Sequence, residues 1–426
     1  IETSGSDAKN SSALEDLTRL GAQTYVGHSE VNVNSNQVVV ISSAIPDSNP
    51  ELKKAKELGL SILSRAKLLA LFMEKKKSIA VAGTHGKTTT TSALTVALQS
   101  LGLDPSFAIG GTINRGGTNS HYGSGEIFVA EADESDGSFL EYHPFGAVIT
   151  NIELDHVDNF PNLEAIHKLF IDFIQSIKPG GFLVACTDGK DVSEIIERAN
   201  RSDITFIGYG LESGELTFSN LSLQPTGSFS RVIFKGKVLG EMELAVPGEH
   251  NVLNSLAVIG VALSLGLPVG EVISGLKNFT GARRRFEIRG AAKGVTIVDD
   301  YGHHPTEITA TLKAARTFAK GGRVLVIFQP HRYSRTREFI KEFQESLALA
   351  DQLYLLEIYS AGENPIPGLS SKLIADGVKN SIFNPSMIEV ANEVAKSAQS
   401  GDLIITLGAG DVNALVPVIL ENLNAN

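Results

Sequence analysis

Short runs of consecutive apolar residues alternate along this chain with longer amphipathic segments. The runs at 38–41, 79–81, 127–129, 147–149, 182–184, 324–327 and 403–405 have strand length and no polar alternation, the pattern of strands covered on both faces. Such strands, separated by helix-length segments, predict an α/β fold built on parallel sheets. Between Thr205 and Val246 the texture changes. Short β-rich runs at 231–234 and 238–239 flank Lys235, Gly236 and Lys237, which predicts antiparallel hairpins. The stretch from Asn251 to Gly270 carries no charge and has about the ~20 residues of a bilayer span. Asn251, Asn254, two serines and Pro268 interrupt it, so it is expected to be a helix buried inside a globular protein.

Two breaks divide this pattern. A charge run, Glu74 to Lys77, ends one helical segment before a new buried strand, and Gly281 to Arg285 separates the uncharged helix from another α/β alternation. The expected domains are therefore 1–77, 78–281 and 282–426, each large enough for its own core. The chain has 426 residues, 42% of them hydrophobic, and a formal charge of −11. That composition excludes a disordered or fibrous protein, and the acidic balance argues against nucleic acid as the main partner. Cys186 is the sole cysteine, so no intrachain disulfide forms and a reducing compartment is the simpler expectation.

Gly83, Thr84, His85 and Gly86 form a glycine-bearing turn between a buried run and a helix expected to start near Lys87. In such a turn backbone N–H groups and the positive end of the helix dipole face one point, which suits a polyphosphate. Lys87 can neutralise terminal phosphates while the Thr88 hydroxyl ligates Mg²⁺. The first glycine of G-x-x-x-x-G-K-[ST] falls on Val81, so the match is incomplete. Glu131, Asp133, Glu134 and Asp136 follow the run at 127–129, and Asn151, Glu153, Asp155, His156 and Asp158 follow the run at 147–149. Both clusters sit at the carboxyl ends of expected parallel strands, where open α/β sheets bind ligands. Acid and imidazole beside ATP phosphates are what two Mg²⁺ ions require. The plainer alternatives are a solvated acidic surface and a glycine turn that caps a structural helix.

These residues resemble the Mur ligase family. The stretch from Gly83 to Thr89 looks like the family's phosphate loop, which also lacks the first glycine. Similar stretches follow in unbroken order at 131–136, 151–156, 248–251 with Asn254, 281–286, 299–306, 329–336 and 407–411. The resemblance implies three domains: a Rossmann-like domain for the UDP substrate, a central P-loop domain for ATP with added antiparallel strands, and a Rossmann-like C-terminal domain for the amino acid. It implies ATP-dependent joining of L-alanine to the carboxylate of UDP-N-acetylmuramate through an acyl phosphate, in cytoplasmic peptidoglycan synthesis.

By the same resemblance Gly83, Thr84, His85, Gly86, Lys87, Thr88 and Thr89 hold the ATP phosphates. His250, Asn251 and Asn254 contact adenine, Asp299 the ribose, and Arg284 joins the ATP site. Helix capping is an equal reading for Asn251 and Asn254. Thr88 and Glu131 hold one Mg²⁺ and His156 the second. Tyr301, His303, His331, Arg332 and Arg335 form the alanine pocket, the two arginines forking onto its carboxylate. Lys87, His156, Arg332 and His303 are the catalytic candidates, His303 as a guess for the proton acceptor. Ser6, Asp7 and Ser42 are candidates for the UDP substrate. Family members begin with a strand and a glycine-rich loop that cradles the UDP diphosphate. Residues 4–7 look like the end of the second strand, so 1–77 is expected to be an incomplete UDP domain.

Rival readings differ in chemistry. A recycling ligase that attaches a whole peptide to UDP-N-acetylmuramate shares the phosphate loop, but Ser135, Asp136 and the stretch 331–336 favour the alanine enzyme, and they disfavour a folate-polyglutamating ligase in the same way. A P-loop switch protein would keep Gly86, Lys87 and Thr88, yet no guanine-reading Asn-Lys-x-Asp occurs. Gly408 and Gly410 invite a dinucleotide reading, but the third glycine of that fingerprint falls on Asn413. The expected partners are small molecules, with no membrane and no nucleic acid, acting on a monomer or homodimer.

Overall fold

The structure, a computed structural model, describes residues 2–113, 117–155, 159–160 and 162–425. The chain divides into two compact units, Ile1–Lys75 and Lys76–Asn426.

The first unit holds β1 (Ser4–Asp7), α1 (Ser12–Arg19), β2 (Gln23–Val26), β3 (Val38–Ile41), α2 (Pro50–Glu57), β4 (Ser61–Ser64) and α3 (Arg65–Met73). β1 pairs with β2, and β3 with β4, both in parallel. Each helix starts on a side chain that accepts an otherwise orphaned N–H: Ser11 from Leu14, Asn49 from Glu51 and Leu52, Ser64 from Lys67. The core is small. Leu52, Ala55 and Met73 are buried, whereas Val26, Val38 and Val40 of the strands are exposed.

The second unit opens with β5 (Lys77–Ala82), α4 (Lys87–Ser100), β6 (Ser106–Ala108), β7 (Ser120–His121), β8 (Ile127–Glu131) and β9 (Gly146–Ile149). It continues through α5 (Leu163–Gln175), β10 (Phe182–Cys186), α6 (Lys190–Ala199), β11 (Thr205–Tyr209), β12 (Leu216–Gln224), β13 (Gly227–Phe234) and β14 (Lys237–Leu244). Among the described residues these strands form one sheet, in the order β14-β13-β12-β11-β10-β9-β5-β8-β6-β7. The strands from β11 through β8 to β6 pair in parallel, and β12 to β14 form antiparallel hairpins, as the change of texture after residue 205 implies.

The uncharged segment is not one helix: α7 (Glu249–Leu265) takes most of it, and its last residues pass through Pro268 into the next helix. α7 lies on this sheet with Val252, Leu256, Ala257, Val258, Ile259 and Val261 wholly buried. No helix among the described residues is long and apolar enough to cross a membrane. α7 stops where Gly266 takes a left-handed φ of 68°, and α8 (Val269–Gly275) follows.

The chain then builds a second sheet from β15 (Glu287–Ala292), β16 (Val295–Asp300), α9 (Pro305–Ala319), β17 (Val324–Phe328), α10 (Tyr333–Glu338), α11 (Ile340–Leu347), β18 (Gln352–Leu355), α12 (Lys372–Ala375), β19 (Ser381–Phe383), α13 (Met387–Ser397), β20 (Leu403–Leu407) and α14 (Leu415–Ala425). Its strand order is β15-β16-β20-β17-β18-β19, parallel except for β15. Alternate residues serve opposite faces. Ile297, Leu325, Ile327 and Ile404 pack with α13 and α14, while Val298, Val324, Val326 and Ile405 pack with α9 and α11.

Close packing of α7 on β10 depends on Gly260, where an added Cβ would lie 2.6 Å from Val184 Cγ1. Gly260→Val should destabilise the second unit by about 1–3 kcal/mol through overpacking. Urea unfolding should show a lower midpoint with an unchanged m-value.

Candidate active site

β5, β8 and β9 deliver their carboxyl ends to one edge of the central sheet. The turn from β5 into α4 is there because two glycines allow it. Gly83 has φ 131°, and a Cβ on it would fall 2.1 Å from Thr150 Oγ1; Gly86 has φ 81° and precedes Lys87, the first residue of α4. The turn is tied to the segment after β9: Thr84 N–H donates to the Asn151 carbonyl at 3.1 Å, and His85 N–H to Asn151 Oδ1 at 2.9 Å. Lys87 Nζ folds back to donate to the carbonyls of Gly83 (2.7 Å) and Thr84 (3.1 Å), and lies 2.8 Å from Glu134 Oε2. Burial alone would lower the Lys87 pKa, but Glu134, Asp133 and Glu131 together raise it.

Thr88 Oγ1 donates to Glu131 Oε1 at 2.9 Å, and Glu131 Oε2 accepts the Gly110 N–H at 2.7 Å. Gly110 and Gly111 leave room beside this pair: a Cβ on either would come within 2.8 Å of Glu131 Oε1 or Thr88 Cγ2. A hydroxyl and a carboxylate converging next to the phosphate turn are the hard oxygen donors that fit Mg²⁺. His156, expected at a second metal, lies outside the described residues.

A cavity extends from the turn along α7. Gly86, Thr89, His250, Asn251 and Asn254 line it together with Tyr209, Phe279, Arg285, Asp300 and Thr311. Its apolar walls suit a flat base, and its mouth meets the phosphate turn. Asn251 has a structural duty as well, since its Nδ2 donates to the Pro247 carbonyl at 2.7 Å. Arg284 and Asp299 do not line the cavity. They pair with one another at 3.1 Å, and Asp299 also accepts from Thr406 Oγ1. The period of β16 explains this: Asp299 shares the face of Ile297, and Asp300 the face of Val298 toward α9, where it accepts from Thr311 Oγ1.

The amino-acid candidates gather at the carboxyl ends of β16 and β17. The rings of Tyr301 and His303 meet edge-on at 5.4 Å, His303 meets His331 at 6.2 Å, and His331 stacks on Tyr359 at 5.5 Å. Burial drives the His303 pKa down to about 3 and that of His331 to about 4, so both rings are neutral at pH 7. Arg332 and Arg335 have separate protein partners, and Arg332 Nη1 lies 3.9 Å from Glu363 Oε1. Arg335 is buried, and both its Nε (3.0 Å) and Nη2 (2.8 Å) donate to Asp155 Oδ1. Arg332 sits at φ 73°, a left-handed backbone uncommon for a side-chain-bearing residue, with its N–H on the Tyr359 carbonyl. In the first unit, Ser6 Oγ donates to Glu51 Oε2 at 2.6 Å, Asp7 Oδ1 accepts the Lys9 N–H, and Ser42 follows the end of β3.

Between the two sheets lies a charge network whose central member, Glu307, the motifs did not single out. His85 is buried, with Nδ1 3.4 Å from Glu307 Oε1 and Nε2 3.6 Å from Glu153 Oε2. Glu307 also pairs with Arg285 at 3.1 Å, and Glu153 accepts from Thr306 Oγ1 at 2.6 Å. Glu307 stands three residues after the cap His304, so the sequence signals it as a helix-start residue. Nothing local signals its contact with residue 85.

A phosphate turn that faces a second α/β layer across a charged seam, with a pair of hard oxygen donors beside it, is the architecture of a nucleotide-dependent phosphoryl-transfer enzyme. More particularly, the chain belongs to the Mur ligase family. Residues 1–77 match the "Mur ligase family, catalytic domain", 81–262 the "Mur ligase middle domain" and 284–410 the "Mur ligase, glutamate ligase domain". The UDP-N-acetylmuramate–L-alanine ligase of Acidothermus cellulolyticus is 47% identical over 99% of this chain and 90% of its own length. That of Renibacterium salmoninarum is 46% identical over 99% and 91%. Among solved structures, the UDP-N-acetylmuramate–alanine ligase MurC of Thermotoga maritima aligns with a TM-score of 0.83 at 29% identity, covering 99% of this chain and 93% of that one.

The seam makes a pH prediction. Burial would lower the His85 pKa, but Glu153 and Glu307 raise it from 6.5 to about 9. A raised pKa contributes stability in full below pH 6.5 and loses it as the pH climbs through about 9. His85→Asn should therefore have a lower Tm than the parent at pH 6.5, and thermal melts should show that gap narrowing steadily toward pH 9.

Proposed function

We propose that this chain joins the amine of L-alanine to the lactyl carboxylate of UDP-N-acetylmuramate, using ATP, as a step of peptidoglycan synthesis in the cytoplasm. The observation that carries the reading is the phosphate turn with Lys87, Thr88 and Glu131 facing, across one seam, the histidine and arginine cluster of the second sheet. Kinship at 47% identity with a ligase of that name supports the choice of substrates over the peptide-recycling alternative.

A carboxylate resists an amine because its carbonyl is electron-rich and its leaving group would be oxide. Moving the γ-phosphoryl of ATP onto it gives an acyl phosphate, whose leaving group is phosphate. Two anions must meet for that step, so the protein's task is mainly electrostatic. Lys87 exchanges its loop carbonyls and Glu134 for phosphate oxygens, a contribution of about 3–4 kcal/mol to the transition state. Thr88 and Glu131 would hold one Mg²⁺, and His156 is assigned to a second by family resemblance. When bound, the metal neutralises charge on the phosphates.

The cavity along α7 takes the adenine, with Asn251 and Asn254 at its edge and Asp300 and Arg285 in its wall. Arg332, half-exposed with a long 3.9 Å approach to Glu363, takes the alanine carboxylate in preference to Arg335, which is buried on Asp155. His303, neutral and weakly basic, orients the amine better than it removes a proton, because a base of pKa about 3 lies far from neutrality. Arg335 ties the amino-acid layer to the segment that carries Asp155, which couples closure of the two layers to the metal end of the site.

The test is product formation with purified protein. ADP and phosphate should appear only when both UDP-N-acetylmuramate and L-alanine are present; nucleotide hydrolysis with neither would sink the reading in favour of a switch. Lys87→Ala should lower kcat by about 10²–10³. Arg332→Ala should raise the KM for alanine more than that for ATP. Glycine, one methyl smaller, should be turned over with kcat/KM reduced only about 10–200-fold.

A further inference from the structure

His85, Glu153 and His304 reach one point from three separate parts of the chain: the phosphate turn, the segment after β9, and the residue that caps α9. One ligand atom from each lies within 4.8 Å of the others. His85 Nε2 is 3.6 Å and His304 Nδ1 3.8 Å from the same oxygen, Glu153 Oε2. The two imidazoles lie one against the other, with centroids 4.6 Å apart. Both are buried, at 8% and 4% exposure, and the Nε2 of each makes no hydrogen bond among the described residues. His304 Nδ1, the nitrogen that faces Glu153, also takes a long 3.4 Å approach from the Thr306 N–H. A buried imidazole nitrogen whose nearest acceptor stands at 3.6 Å, beyond hydrogen-bond distance, is rare in folded proteins and marks a function or an absent ligand. The ligase chemistry above gives no role to this convergence of two imidazoles on one carboxylate oxygen.

The surroundings are those that coordination needs. A ligating imidazole is normally held by a carboxylate on its other nitrogen, and His85 Nδ1 has Glu307 Oε1 at 3.4 Å. A ligating carboxylate is normally held by a hydrogen bond, and Thr306 Oγ1 gives Glu153 Oε2 one at 2.6 Å. Ligand atoms about 2.0–2.1 Å from a tetrahedral ion stand roughly 3.3 Å apart; the two nitrogen–oxygen separations, 3.6 and 3.8 Å, are near that spacing, and the two imidazole nitrogens lie within 4.8 Å of each other. We propose that His85, Glu153 and His304 form a binding site for a Zn²⁺-class divalent cation, separate from the oxygen pair Thr88 and Glu131. Two imidazoles and a carboxylate select Zn²⁺ or Co²⁺ over Mg²⁺ and leave a fourth position for water. The ion replaces the proton on His85, bears on both carboxylates of the seam, and fastens the phosphate turn to α9.

The experiment is metal binding to the whole protein in excess Mg²⁺, which fills oxygen sites. Equilibrium dialysis with Zn²⁺ should give one ion per chain. Co²⁺ should give the visible absorption of a tetrahedral centre, and Zn²⁺ should raise the Tm. Glu153→Gln and His304→Gln should each weaken the site at least tenfold, while His121→Gln, an exposed histidine elsewhere, should leave it unchanged. Absence of Zn²⁺ binding under excess Mg²⁺, or full binding by both site variants, overturns the proposal. Should a variant fail to fold, X-ray absorption on the Zn²⁺-loaded parent decides: two imidazole ligands support the site, and fewer than two overturn it.

Discussion

The second unit depends on placing several charges in a seam between two sheets where water is scarce. A carboxylate stripped of water costs several kcal/mol unless an opposite charge and hydrogen bonds replace its hydration. Glu153 and Glu307 face the seam from opposite layers, and the His85 imidazolium lies between them. Arg285 answers Glu307 from the same side, and Arg335 answers Asp155. Remove the cationic side of this set and the two layers would present like charges to each other. Residue 85, held in place by the phosphate turn, is thus one of three cationic groups that let these carboxylates sit between the layers.

That turn is itself held by covalent necessity and by neighbours. Glycine at 83 and 86 is required sterically, and the segment after β9 pins it from outside. The site is thus assembled from three ends of parallel strands, a helix start and one loop.

Much of this was legible in the sequence, and the limits have a physical pattern. Buried strands, the antiparallel hairpins and the buried nature of α7 follow from the spacing of apolar residues, because each is a statement about one element. The strand–turn–helix at 79–91 was legible for the same reason: turn, lysine, hydroxyl and helix are adjacent in the chain. Where contact across the layers decides, the reading fell short. Arg335 was expected beside Arg332 on a substrate, since spacing of three suggests a shared face, yet its partner is Asp155, 180 residues away in sequence. Asp299, expected at the ribose, pairs with Arg284, and strand alternation sets its neighbour Asp300 on the cavity wall. Glu307 reads locally as a helix start, and only the fold brings it to His85.

Lys87 has a further implication. Its ammonium is satisfied by two carbonyls and by Glu134. An anion that binds there must therefore displace a carboxylate tethered to the same protein. The gain is then a difference between two ion pairs, smaller than the bare attraction of lysine for phosphate, and it grows with the number of contacts the anion makes along the turn.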